Sequence, residues 1–356
     1  MSMFKLLKVA HVRIAALLAA LVLPTAIVWP AQALTLIELN PSGLLGGVPA
    51  TSNTGPVTPA TRSSGDPPLS VPEGTLESAL SCPASFSRAH EPVLLIHGIP
   101  QTPDEAWSWN YAKVLPPQGF DVCTVALPDL ARGDIQIQTE YVVHAIKAIG
   151  RRSGGKIDVV AFSVPPAAAR AAVKWWPGAR ALVDDLVLIS APNHGGVNFD
   201  VLCALPCIAP FWQMKPGSRF LAALNSGDET PGDVAYTSVY SLTDAAVLNL
   251  RPASVTSDLA GASNIAAQDL CPIRLVDHVA ALGDAVVYAV VIDALTHPGP
   301  ADPARIDRSV CSQFVMPGVD PLQAVVMNAA WWPTIAIKSL EHQTDREPPL
   351  AVWAVP

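Results

Sequence analysis

Ser163, Asp244 and His278 are of the types that perform nucleophilic acyl transfer when folding brings them into mutual reach. A serine hydroxyl attacks weakly until an imidazole accepts its proton, and the imidazole works only when a carboxylate holds it in one tautomer. Each residue stands just beyond an apolar run. Ser163 follows "IDVVAF", Asp244 comes three residues after "VAYTSVYS", and His278 follows "IRLV" and Asp277. Taken singly, such a serine is usually a turn residue, such an aspartate a solvated loop residue, and such a histidine structural. The conjunction of serine, acid and histidine in that order, each at a predicted strand end, favours catalysis. Asp277 competes with Asp244 for the role of acid, but adjacent side chains generally point apart, so Asp244 is expected to orient His278.

The elements that must position these residues alternate between strand and helix. "PVLLIHG", "FDVCTVAL", "IDVVAF", "DLVLIS" and "VAYTSVYS" read as strands, with "IRLVDH" as a shorter one. "QTEYVVHAIKAIG" reads as a helix capped by Thr139, with Val142, Ile146 and Ile149 on one face and Gly150 as the stop. A second helix is expected from Pro166 to Trp176. Near-continuous apolar strands separated by helices predict an α/β fold, a mostly parallel sheet with helices on both faces. Ligands of such sheets bind beyond the carboxyl ends of the strands, where these residues stand.

The chain has 356 residues and a net charge of −8, with no clustered basic surface to bind nucleic acid. "MSMFKLLKVAHVR", the apolar "IAALLAALVLPTAIVW" and Ala31-Gln32-Ala33 make residues 1–33 a signal peptide. Leu34, not cysteine, stands immediately after the cleavage point, which argues against a lipid-anchored lipoprotein. Residues 34–80, rich in Pro, Ser, Thr and Gly without apolar periodicity, read as a disordered linker, and residues 81–356 as one folded domain. Six cysteines in an exported chain most simply form three disulfides. Cys203 and Cys207 can close a small loop, while Cys82, Cys123, Cys271 and Cys311 must pair over longer distances. No cysteine pair has zinc-site spacing beside a histidine pair, and no metal or organic cofactor is implied.

From Cys82 onward the chain resembles the lipase B-like group of α/β-hydrolases. The likeness runs in order through "PVLLIHG", "GFDVC", "QTEYVVHAI", the serine turn, "YSLTDAAV" and "LVDH". It implies an α/β-hydrolase fold and a cofactor-free, secreted, monomeric serine hydrolase acting on lipids or other carboxylic esters, with transient contact at a lipid interface. It assigns Ser163, Asp244 and His278 to the catalytic triad. The Val164 and Ile99 backbone N–H groups become the donors to the oxyanion. The disulfides it implies are Cys82–Cys123, Cys271–Cys311 and Cys203–Cys207.

Two departures from the group's pattern bear on activity. Its serine is usually followed by Gln-Gly-Gly, whereas Val164-Pro165-Pro166 stands here. Proline fits the first turn of a helix, but it restricts the residue before it and so bears on where the Val164 N–H points. Isoleucine at position 99 also lacks the hydroxyl of the group's threonine. These departures motivate two alternatives: a catalytically impaired homologue that binds lipids or esters at the cell envelope, or an acyltransferase. Phe162, Leu205, Ile208 and Trp212 are the pocket candidates. "VLCALPCIAPFWQM" reads either as a pocket wall or lid, or as a core-facing helix held by the small disulfide. Trp331 and Trp332 are expected in the core or at a pocket rim, and His194 to shape a loop.

Overall fold

The computed structural model describes residues 65–355 apart from 88 and 251–253. The expected signal peptide and most of the expected linker lie outside the described residues. The strands that build the central sheet are β1 (Leu80–Ser81), β2 (Val93–Ile96), β3 (Val122–Val125), β4 (Ile157–Phe162), β5 (Val183–Ile189), β6 (Ala235–Tyr240) and β7 (Ser263–Ala266). Their spatial order is β1-β3-β2-β4-β5-β6-β7, with every pairing parallel except β1–β3. The principal helices are α1 (Glu73–Ser78), α2 (Ile135–Ser153), α3 (Pro166–Trp175), α4 (Ala285–Thr296) and α5 (Pro321–Lys338).

Strands β2 and β4 are buried along their whole length because helices cover both sides of the sheet. On one side Val142, Ile146 and Ile149 of α2 and the alanines of α3 pack over Leu94, Ile96, Val159 and Ala161. On the other, Val286, Val287 and Val290 of α4 pack over Leu95, Val160 and Phe162. The two-residue side-chain alternation of a strand sends successive residues into different cores. Helix α3 begins with two prolines, whose absent N–H groups would have had no partner there. It ends at Trp175, because Trp176 precedes Pro177 and is held extended.

The structure corrects the sequence reading in three places. The expected linker does not reach residue 80. The Ser70 and Val71 N–H groups donate to Glu140 of α2 at 2.6 and 2.8 Å, and the Trp176 indole donates to the Pro67 carbonyl at 2.8 Å. Polar anchors of this kind leave no hydrophobic period to read. Helix α2 starts at Ile135, capped by Asp134, and Thr139 donates instead to the Ile135 carbonyl within it. Its stop is Gly154, in the left-handed region at φ 75°, while Gly150 is helical and leaves room for Leu182. Finally, "IRLVDH" is not a strand. Ile273 and Leu275 are 95% and 81% exposed, whereas Arg274 is buried and paired with Asp284 at 2.6 Å. The edge strand is β7.

Candidate active site

Ser163 follows β4 at the point where the chain must turn sharply into α3. The turn holds it at φ 71°, a left-handed conformation costly for a residue with a Cβ. Its N–H donates to the Ile189 carbonyl at the end of β5, which fastens the strained residue to the sheet. Room for the turn comes from Gly98: a Cβ there would lie 2.7 Å from a Phe162 ring carbon and 3.0 Å from the Ser163 Cβ.

His278 and Asp244 approach from two loops beyond β7 and β6. His278 Nε2 lies 2.8 Å from Ser163 Oγ, and its Nδ1 lies 2.8 Å from Asp244 Oδ2. An Nδ1–H donated to the carboxylate leaves Nε2 free to accept the serine proton. The other oxygen, Oδ1, accepts the Ala246 and Val247 N–H groups, both at 2.8 Å. All three side chains are buried, so their interactions are strengthened by the low dielectric around them.

The two loops are tied to each other. Thr243 Oγ1 donates to the Val276 carbonyl and accepts the Val276 N–H, and the Gln268 amide bridges Leu242, Ser241 and the Arg274 carbonyl. Asp277, the competing acid, turns away from the imidazole. It accepts the Ala245 N–H at 3.2 Å, the Trp332 indole N–H at 3.0 Å and the Asn328 amide at 3.3 Å. It thereby joins the acid loop to α5.

Beyond β2, the loop that carries Ile99 is set by His97. Its Nδ1 donates to the Gly98 carbonyl, and its Nε2 accepts the Leu127 N–H, both at 3.0 Å. Burial pushes the His97 imidazole down to about 4, so it is neutral in this role. Among the described residues, neither the Ile99 N–H nor the Val164 N–H donates to a protein acceptor. Pro165 adopts helical angles as the cap of α3, and Val164 accepts the Ala167 N–H in an ordinary first turn.

Of the pocket candidates, Phe162 meets His278, the two rings centred 4.8 Å apart. Leu205 is on the surface. Ile208 and Trp212 are engaged with the strand Gln343–Thr344, through backbone pairing and an indole hydrogen bond to the Thr344 carbonyl. The apolar stretch around them divides: Phe199, Ile208 and Phe211 are core, while Val201, Leu202 and Leu205 are exposed. His194 pairs with Glu229 at the surface. Disulfides join Cys82 to Cys123, Cys203 to Cys207 and Cys271 to Cys311.

Sequence reading missed what backs the histidine. Trp331 of α5 lies with its ring 5.0 Å from the imidazole, opposite in role to Phe162, and donates its indole N–H to the Ile99 carbonyl at 2.8 Å. The apolar helix is visible in the sequence, but its docking against the Ile99 loop is not.

No family model matches the chain. It is 29% identical over 326 residues to lipase B of Pseudozyma antarctica, covering 89% of this chain and 95% of that protein. The fold is similar to that of Aspergillus fumigatus lipase B, with a TM-score of 0.77 and 28% identity over 85% of this chain and 77% of that one. A Bacillus licheniformis lipase in its propeptide form shares the fold more distantly, at a TM-score of 0.50 and 15% identity over 63% of this chain and 54% of that one. In its parallel sheet and the order of its strands and helices the chain is similar to these lipases B, and it has an α/β-hydrolase fold.

Proposed function

We propose that the protein is an exported serine hydrolase cleaving carboxylic esters, with Ser163 as nucleophile, His278 as general base and acid, and Asp244 as the carboxylate that orients it. The observation that carries this reading is the hydrogen-bond chain from Ser163 Oγ through both nitrogens of His278 to Asp244, each link 2.8 Å. Kinship with lipases supports an ester substrate. Three disulfides fit an oxidising compartment outside the cytosol.

In this mechanism Ser163 Oγ bonds to the ester carbonyl carbon as its proton passes to His278 Nε2. The carbonyl oxygen takes the negative charge, which the Val164 and Ile99 N–H groups would receive in this reading. Collapse breaks the bond to the alcohol oxygen, which leaves with the proton from Nε2. Water, deprotonated by the same nitrogen, then attacks the acyl-enzyme and releases the acid. Asp244 stays ionised throughout and stabilises the transient imidazolium.

Labelling by a fluorophosphonate probe, together with hydrolysis of p-nitrophenyl butyrate, tests this; both are expected for the mature protein and absent from Ser163→Ala. A folded wild type that takes no label, with equal background rates for both proteins, would overturn it. That outcome would favour an ester-binding role without turnover, the reading suggested by Val164-Pro165-Pro166.

A further inference from the structure

The opposite end of the sheet holds a second group of chemically active side chains, unrelated to ester cleavage. Asp158 is the second residue of β4, and Asp184 and Asp185 are the second and third of β5, so all three lie where these strands enter the sheet. One carboxylate oxygen from each lies within 4.8 Å of the other two. The parallel pairing of β4 and β5 is interrupted at this point, with a register shift between Ile157 and Val159.

The charges are poorly compensated. Lys156 reaches Asp184 at 2.9 Å, and among the described residues the other two carboxylates have no ion pair. Asp158 Oδ1 accepts the Asp185 N–H. Asp185 is itself only 5% exposed, and its Oδ1 has no hydrogen-bond partner among the described residues. Glu91 adds a further negative charge close enough to act on both buried aspartates. A buried carboxylate is retained when it is paired, metal-bound or protonated, and among the described residues no cation forms an ion pair with Asp185, Lys156 acting on it only from its place beside Asp184.

We propose that Asp158, Asp184 and Asp185 bind a divalent calcium ion that clasps the entrances of β4 and β5. The donor set is all oxygen, which suits a hard cation and not zinc. The oxygens lie no farther apart than the span across an ion with Ca–O bonds of about 2.4 Å. Asp184 is half-exposed, so water can reach the ion and complete its shell. The clasp would act on the strand whose far end carries Ser163. It is independent of the proposed catalytic reading, and its test does not use activity.

The full mature chain, stripped with a chelator, would be titrated with calcium chloride by isothermal calorimetry and by thermal unfolding. One ion per chain and a saturable rise in Tm are expected, because a ligand bound only by the folded state stabilises it. Asp184→Asn, at the half-exposed position, should fold and weaken binding by about tenfold or more. Lys156→Gln removes the competing cation and should tighten binding severalfold. Asp185→Asn should abolish it. Absence of binding at about 10 mM calcium would overturn the proposal. So would binding that Asp184→Asn leaves unchanged, which would place the ion elsewhere. An Asp185→Asn protein more stable than a calcium-indifferent wild type would mean that Asp158 and Asp185 share a proton only.

Discussion

Trp331 holds the carbonyl of Ile99, its indole N–H donating across 2.8 Å while its ring lies against His278. One side chain therefore touches both the residue whose N–H is proposed to receive the oxyanion, through its following peptide, and the base proposed to create it. Because Trp331 sits on α5, the position of that helix is coupled to the chemistry.

Trp331→Phe keeps an aromatic ring against His278 but removes the hydrogen bond. The lost bond is worth about 1 kcal/mol, so kcat should fall by about five- to tenfold with KM nearly unchanged. Steady-state kinetics on a short-chain ester checks this. A change confined to KM would assign Trp331 to substrate binding instead.

Asp244→Asn affects both catalysis and folding. Asparagine places a donor where either the imidazole N–H or the Ala246 and Val247 N–H groups must be accepted. Loss of the required tautomer should lower kcat by about 10⁴-fold, with a smaller but measurable fall in Tm. Asp277→Asn, which leaves the His278–Asp244 bond intact, should retain most activity.

His97 predicts a stability profile in acid. Its folded pKa of about 4 lies below the ordinary 6.5, so between these values the unfolded chain binds the additional proton. Stability is therefore complete above about pH 6.5 and is lost as the pH falls toward 4, by roughly 3 kcal/mol in all. His97→Asn should flatten that slope while losing about 1–2 kcal/mol at neutral pH, where the Leu127 N–H is left unpaired. Urea midpoints measured across the window decide it; an unchanged slope would remove His97 as the cause.

Gly98→Ala tests the crowding behind Ser163. The added methyl meets Phe162 and Ser163 at distances that something must yield to, and a catalytic group displaced by about 1 Å can cost 10²-fold in rate. Hydrolysis should fall far more than Tm. Full activity would mean that the turn absorbs the methyl without moving Ser163.

The amino-acid sequence by itself determined the five inner strands of the sheet, β2 to β6, because apolar runs such as "PVLLI" and "IDVVAF" are buried on both faces. It also placed Ser163, Asp244 and His278 beyond apolar runs in an order that suggests their chemistry. Segment 65–80 was illegible because polar groups anchor it and its apolar contacts, Leu69, Val71 and Leu76 among them, follow no regular hydrophobic period. "IRLVDH" misled because its charged residue points inward, toward Asp284, and its apolar neighbours outward. Only the tertiary structure decided between Asp244 and Asp277. Their separation depends on which way each carboxylate faces, and that follows from Ala245, Asn328 and Trp332 gathering around Asp277. The same holds for Trp331 and Ile99, residues far apart in the chain. A hydrogen bond between distant segments leaves no local pattern, and it exists only once α5 has packed against the loop beyond β2.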